Sequence, residues 1–490
     1  MRVWERGVGI TLACGSGACA AVYAAWKKGL IENNAEVKLE KGSLHINIVN
    51  NEAIMTGPTE ISYQGSLEIY FMKNKNHIVN LGCRLNIYEG EIIKNHLKTN
   101  NLNNVTVINS CAVTEEAEKK VSYEIRKAKK NFPNNKIVVT GCAAQINPLK
   151  YKDLKEVDSV IGNTEKLETL TWKNIDRSEN FNVGNILEES KTVPNSIEKF
   201  EGKSRAYIEI QQGCNHRCTF CVIPFGRGNN RSVPAGEIVN KIKKIVSNGY
   251  NEVVLTGVDI TDYGKDLPAK PTFSNLIKRI LKLVPELRQL RLSSIDCAEI
   301  DEDFGDVLKD ERLMPHFHIS LQAGNNLILK RMKRRHSREM AINFCKKVLS
   351  IRKDATFGAD IIAGFPTETE TMFQDSIKLV DECNLTHLHI FPYSPRENTP
   401  ASRMPQVQKN IIKDRARRLR ERGMEKLKQH LKKNIGKKEQ ILIESRKENF
   451  SLGKDQHFLK VKLEEEFKEG NIISCIYTGV ENDTLLARIA

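Results

Sequence analysis

Three apolar, strand-like runs in this chain each end on a cysteine: V-N-L-G-C at Cys83, V-I-N-S-C at Cys111 and V-V-T-G-C at Cys142. The stretches between them have helical periodicity. Strands are expected at Ile78–Gly82, Val105–Ser110 and Lys136–Gly141, with helices at Ile87–Leu97 and Glu115–Lys130. This β-α-β-α-β order implies a parallel sheet with right-handed crossovers. All strands of such a sheet end on one edge, where open α/β sheets build their ligand sites. Cysteines spaced 28 and 31 residues apart therefore meet in space, although the spacing matches no local metal motif. One cysteine there would pass for a small buried hydrophobe. The same position after three successive strands points to a three-thiolate iron–sulfur site.

A second triplet is local. Cys214, Cys218 and Cys221 form C-N-H-R-C-T-F-C, with Phe220 just before the last cysteine. Three thiolates so placed can hold three corners of a 4Fe–4S cube and leave the fourth iron open to a substrate or cofactor. Zinc would want a fourth ligand, and His216 is the only near candidate. Disulfides need an oxidising compartment, and nothing in the sequence supports one. No run of eighteen apolar residues suggests a membrane span, and Met1 to Gly9 lacks the layout of a secretory signal. In the cytoplasmic setting expected here, twelve cysteines suggest metal or redox use.

From Arg205 to about Pro395 strand and helix alternate again. Six strands are expected: Tyr207–Gln211, Glu252–Thr256, Gln289–Ser293, His316–Leu321, Thr356–Ile362 and His387–Pro392. Six β/α units suggest a partial barrel, open on one side. The local triplet follows the first of them, at the carboxyl end where barrel enzymes place their chemistry. Later strand ends offer further linings at Thr256-Gly257, Ser293-Ser294, Gln322 and Gly364-Phe365-Pro366. Asp360, inside a strand, reads as a structural hydrogen-bond partner. Residues 171–204 are polar and irregular and read as a linker.

The net charge of +15 is concentrated. Lys409 to Asn434 reads as a long helix with eleven Lys or Arg against Asp414, Glu421 and Glu425, and Lys330 to Arg338 adds six more. Such patches attract phosphate backbones. Lys437–Ala490 is β-rich, with strands at Gln440–Glu444, Phe458–Leu463, Ile472–Tyr477 and Thr484–Ile489, a size and pattern that suits a small antiparallel barrel of the oligonucleotide-binding kind.

These residues resemble a known family. The C-x3-C-x2-C loop on a six-unit barrel is similar to that of the radical S-adenosylmethionine enzymes. G-C-R-L-N-I-Y-E, N-S-C-A-V-T and T-G-C-A-A-Q resemble the methylthiotransferase branch, as do R-S-V-P at Arg231–Pro234, L-T-G-V at Leu255–Val258, L-R-L-S-S at Leu290–Ser294 and H-I-S-L-Q-A-G at His318–Gly324. That last segment, G-F-P-T-E and H-I-F-P-Y-S-P-R-E-N-T-P-A-S-R-M-P resemble the subgroup that modifies threonylcarbamoyladenosine in tRNA. The resemblance spans about residues 74–490. It implies an α/β chain with a Rossmann-like sheet domain (74–170), the linker, a partial (β/α)6 radical barrel with its basic helix (205–435) and a terminal β-barrel of the TRAM type (437–490).

The resemblance also implies chemistry. Cys214, Cys218 and Cys221 would hold a 4Fe–4S cluster that binds S-adenosylmethionine and cleaves it to a 5′-deoxyadenosyl radical, with Gly257, Ser294 and Gln322 as cofactor contacts. Cys83, Cys111 and Cys142 would hold a second 4Fe–4S cluster that carries the sulfur. A radical is needed because the adenine C–H bond has no acidic proton for a base to take. The basic helix and β module would hold the tRNA anticodon stem–loop. An electron donor of the reductase or flavodoxin type and a sulfur source complete the expected partners. Ala323 and Asp296-Cys297 depart mildly from the pattern.

Residues 1–71 stand apart as an α+β fragment, with a helix expected over Ala18–Leu30 and strands such as Val37–Leu39 and His45–Val49. E-R-G-V-G-I-T-L-A-C-G-S-G-A resembles the carboxyl end of diaminopimelate epimerase. By that resemblance Cys14 would be one of two catalytic cysteines, and Glu5, Arg6, Gly15 and Ser16 would be substrate contacts at a helix N-terminus. The half that carries the second cysteine is absent, and Ile10 replaces an expected acidic residue. The fragment reads as an inactive remnant or fusion. Met72 reads equally well as a second protein start. Other readings stay open: methylthiolation of isopentenyladenosine or of a ribosomal protein, a non-catalytic iron–sulfur RNA-binding protein, and a residual amino-acid epimerase.

Overall fold

The computed structural model of the chain describes residues 1–5, 9–11, 14–40, 42–57, 76–175 and 181–490. The chain divides into two units, Met1–Lys73 and Asn74–Ala490.

In the first unit, helix Gly15–Lys27 packs Ala18 and Val22 on one face of an antiparallel sheet of strands Asn34–Leu39, Gly42–Val49 and Glu52–Thr56. The sheet answers with Val37, Ile46 and Ile48. The helix begins three residues before the expected Ala18, because Cys14 accepts a bond from the Gly17 amide and caps it. Of the epimerase-like positions, Arg6 lies outside the described residues. Glu5 ends the short backbone strand Val3–Glu5.

The second unit opens with a parallel sheet of five strands, two more than the sequence suggested. In order they are Phe181–Asn182, Ser159–Ile161, Lys136–Gly141, Val105–Ser110 and His77–Asn80. Phe181–Asn182 comes from the stretch read as linker. It escaped notice because two residues give no periodicity; its pairing with Val160 and Ile161 defines it. Helix Arg84–Thr99 starts directly after Cys83, earlier than the apolar spacing implied. Its Tyr88 and Ile92 join the core of the neighbouring barrel, so the two domains share apolar surface.

That barrel has six parallel strands in two sets of three. Ala206–Glu209, Glu252–Thr256 and Gln289–Leu292 form one set, and His316–Gln322, Thr356–Ala363 and Leu385–Pro392 the other. Single bridges, Leu290 to Leu313 and Ile295 to Ile319, join the sets. Among the described residues no pairing closes the first strand onto the last. Helix Lys409–Asn434 follows and buries Ile412, Ala416 and Leu419 against the barrel. Its last turns supply Leu431 to the core of a closed terminal barrel.

The terminal barrel has five strands rather than four: Lys438–Lys447, Phe450–Asp455, Lys460–Leu463, Ile472–Glu481 and Thr484–Ile489. The extra one, F-S-L-G-K-D, carries Gly453, Lys454 and Asp455, which disfavour strands by composition. Pairing on both sides overrides that, and alternate residues Ser451, Gly453 and Asp455 turn inward.

A cavity beside the first cysteine triplet

The first triplet assembles at the carboxyl edge of the parallel sheet. Gly82 sits so close to Cys111 that an added Cβ would meet its Sγ at 2.7 Å. Gly141, before Cys142, has φ +94 and leaves no room for a side chain against Ser110. Glycine is required there by both backbone conformation and contact. Cys83 and Cys111 face a cavity of about 720 Å³, whereas Cys142 is buried against the barrel domain.

The second triplet follows the first barrel strand. Gly213, at φ +68, turns the chain so tightly that a Cβ would lie 1.9 Å from the Asn229 carbonyl. Cys214 N then donates to Gly228 O at 3.0 Å, and Cys221 N to Cys218 O at 3.0 Å. Arg334 reaches Cys218 Sγ at 3.8 Å and Asp296 at 2.8 Å.

All twelve cysteines are free thiols. Burial pushes the Cys111 thiol up to about 11 and Cys221 to about 12. A bound cation is what makes thiolates of such groups at neutral pH. The donor atoms that gather within 4.8 Å of one another include Cys214, His216 and Asp259, but among the described residues neither full triplet. One tetrahedral zinc would draw its thiolates closer than that. His216 Nε2 instead faces Asp259 at 2.9 Å and Glu299 at 3.3 Å. Three thiolates on separate corners of an iron–sulfur cube fit this donor set better than a zinc ion does.

A buried charge network joins the triplets, and the sequence reading missed it. Arg227 lies six residues after Cys221, at the end of helix Ile223–Arg227. Its Nε donates to Cys142 Sγ at 3.2 Å, and its guanidinium grips Glu89 at 2.5 and 3.0 Å. Lys166 reaches the same carboxylate at 2.7 Å, and all three side chains are shut off from water. Burial alone would raise Glu89, but Arg227 and Lys166 hold it down at about 2. The available signal was a carboxylate on the apolar face of an amphipathic helix, beside Leu85, Tyr88 and Ile92.

The cavity is lined by groups from three domains. Cys83, Arg84 and Cys111 come from the sheet domain, Gly257, Ser293 and Ser294 from the barrel strand ends, and Lys454 and Phe458 from the terminal barrel. Gln322, at φ 70 and the last residue of the fourth strand, is not part of this lining. Asp360 accepts from His318 at 2.9 Å and His389 at 3.2 Å. Against the cost of burial, these two hold its carboxyl well below the usual range.

The basic stretches differ from the expected phosphate-facing patches. In Lys330–Arg338, Arg331 bonds Thr367, Arg334 pairs with Asp296, Arg335 with Glu299 and Arg338 with Glu382. Only Lys330 and Lys333 stand free at the surface among its described cations. In the long helix Arg415 is buried on Glu368, while Arg418 and Arg422 reach Glu370 and Asp381. Lys409, Lys413, Lys428, Lys432 and Lys433 remain exposed. Arginines of a basic run were drawn inward because barrel carboxylates, distant in sequence, lie beneath them.

In the epimerase-like unit, Cys14 Sγ lies 3.4 Å from both the Gly17 amide and Ser16 Oγ. Cys19 stands further along the same helix.

An open six-strand β/α barrel with three thiols after its first strand defines a class of cluster-bearing radical enzymes. Comparison with known proteins agrees. Residues 208–380 match the Radical SAM superfamily, 75–162 the uncharacterised protein family UPF0004, and 1–62 diaminopimelate epimerase. The threonylcarbamoyladenosine tRNA methylthiotransferase MtaB of Rickettsia prowazekii is 51% identical over 85% of this chain and 98% of its own. Its namesake in Aquifex aeolicus is 37% identical, covering 74% of this chain and 91% of its own. The tRNA-2-methylthio-N(6)-dimethylallyladenosine synthase of Bacillus velezensis is 30% identical over 76% and 77%. The chain belongs to the methylthiotransferase family of radical S-adenosylmethionine enzymes. Its cofactors are 4Fe–4S clusters and S-adenosylmethionine. Among the described residues no helix is long and apolar enough to cross a membrane.

Proposed function

We propose that the chain transfers a methylthio group to C2 of N6-threonylcarbamoyladenosine beside the anticodon of tRNA, with one 4Fe–4S cluster on each cysteine triplet. The observation that carries this reading is the single cavity bounded by Cys83 and Cys111 on one side and by the barrel strand ends on the other. A base held there would face Cys83 and Cys111 on one side and the barrel strand ends at Thr256-Gly257 and Ser293-Ser294 on the other. The choice of nucleoside is supported by the higher identity to the threonylcarbamoyladenosine relatives than to the dimethylallyladenosine one.

When bound, the clusters and S-adenosylmethionine would supply a 5′-deoxyadenosyl radical, the sulfur atom and the methyl group placed on it. This chain's residues do the rest. Cys214, Cys218 and Cys221 would hold the radical-forming cluster with three thiolates. Gly257 and Ser294 line the wall where the cofactor's nucleoside would rest. Arg227 neutralises charge at Cys142 without admitting water. The terminal barrel and the exposed lysines of helix Lys409–Asn434 hold the RNA stem by phosphate contacts. An electron donor of the reductase or flavodoxin type and a separate sulfur source complete the cycle.

The test is nucleoside mass spectrometry of tRNA from cells with and without the gene. The 2-methylthio form of N6-threonylcarbamoyladenosine should vanish in the deletion and return with the wild-type chain. An unchanged nucleoside profile would overturn the proposal.

A further inference from the structure

The cavity contains more positive charge than its own protein groups neutralise. Its floor is Phe458, held at φ 67 after a turn that Asp455 fixes through the Leu459 amide at 2.8 Å. Four cations lie over this ring: Lys454 at 3.4 Å, Arg291 at 4.9 Å, Arg205 at 5.5 Å and Arg84 at 5.8 Å. His316 stacks on it as well, 5.8 Å away and 13° from parallel. Phe458 is therefore covered rather than offered as a stacking platform. It serves as a scaffold for cations.

Two of the four are already matched. Arg205 and Arg291 share Glu252, and Arg205 also pairs with Glu444. Arg291 further donates to the carbonyls of Asp455 and Gln456. The other two differ. Arg84 makes one side-chain hydrogen bond, to Ser293 Oγ at 3.3 Å, and Lys454 has only the ring beneath it; neither has an ion-pair partner among the described residues. Both line the cavity. Burial lowers Lys454 to about 8 despite the pull of Glu444. Desolvated cations without a partner are costly, so the cavity is built for an anion.

Arg84 directly follows Cys83, so that anion would sit beside the sulfur-bearing side. We propose that Arg84 and Lys454 form a subsite for the carboxylate that the substrate adenine carries on its N6 substituent. This inference rests on the proposed function and adds its discriminating element: an ionic substituent is accepted and an apolar one leaves both cations unpaired. The same oxyanion chemistry could come from an RNA phosphate, and the test separates the two.

Binding of full-length protein to anticodon stem–loops is measured by fluorescence anisotropy. Four RNAs differ only in one adenine: N6-threonylcarbamoyl, its methyl ester, N6-isopentenyl, or unmodified. Wild type should favour the free carboxylate over the ester by about tenfold or more, the size of a charge-assisted pair. Arg84→Gln and Lys454→Gln should erase that preference, weakening binding of the free acid more than that of the ester, isopentenyl or unmodified RNA. Lys454→Arg should restore it, and unchanged circular dichroism spectra would show that the variants fold. Equal weakening toward all four RNAs would assign the two cations to phosphate and sink the inference. So would a preference that survives both substitutions. If wild type modifies threonylcarbamoyladenosine in cells yet binds acid and ester alike, only the subsite fails. Loss of the nucleoside effect itself would overturn the proposed function instead.

Discussion

Arg227 Nε lies 3.2 Å from Cys142 Sγ, and this contact joins the loop behind one cysteine triplet to a thiol of the other. Cys142 directly follows the third strand of the parallel sheet, whereas Arg227 belongs to the barrel. Gly226 makes the approach possible, since a Cβ there would press on Cys142 Cβ at 3.2 Å. The same guanidinium holds Glu89 of the helix that begins after Cys83. One side chain thus fixes the register of the two halves of the site.

Removing that guanidinium should be costly. Arg227→Met leaves buried Glu89 with Lys166 as its one remaining cation among the described residues, and breaking a buried pair costs roughly 3–5 kcal/mol. Equilibrium urea unfolding should show a large drop in midpoint, with Arg227→Lys intermediate because it keeps the charge but loses the fork. A midpoint equal to wild type would remove Arg227 from its structural role.

Two separate iron sites should be countable. Replacing Cys83, Cys111 and Cys142 together by alanine should leave about half of the iron and acid-labile sulfide of the anaerobically reconstituted wild type, as should replacing Cys214, Cys218 and Cys221. Replacing all six should leave none. If either triple variant retained the full content, its triplet would not be a cluster site.

Acid should loosen the seam between barrel and terminal module. Glu252 is fully buried between Arg205 and Arg291. Burial would raise its carboxyl, but the two arginines bring it from 4.5 to about 2. A depressed carboxylate contributes stability that is present above about pH 4.5 and disappears as the pH falls toward 2, roughly 3 kcal/mol in all. Unfolding midpoints measured between pH 6 and pH 2.5 should fall steeply for wild type and more shallowly for Glu252→Gln. Parallel curves would count against the assignment.

The epimerase-like unit should be silent. Cys14 caps its own helix, and Cys19 stands on that same helix, so the pair cannot flank one carbon from opposite faces. Purified chain should not exchange the α-hydrogen of LL-diaminopimelate with solvent. Exchange that disappears in Cys14→Ser would show an active site after all.

The sequence alone determined most of the long strands and helices and the position of the two triplets. Six strand-like runs and a C-x3-C-x2-C loop specify an open barrel with its chemistry at one end, because strand period and thiol spacing are local properties. Cys83, Cys111 and Cys142 were also legible, since a parallel sheet puts every strand end on one edge. The short strand Phe181–Asn182 and the strand Phe450–Asp455 were not, because pairing rather than composition makes them strands. What only the tertiary structure decided is how charge is distributed. Arg334 and Arg415 appeared as parts of basic patches and turned out to pair inward with Asp296 and Glu368. Arg84 and Lys454, 370 positions apart, came to share one ring without an ion-pair partner among the described residues. Periodicity shows which residues face inward; whether a buried charge meets its opposite depends on chain segments that touch only after folding.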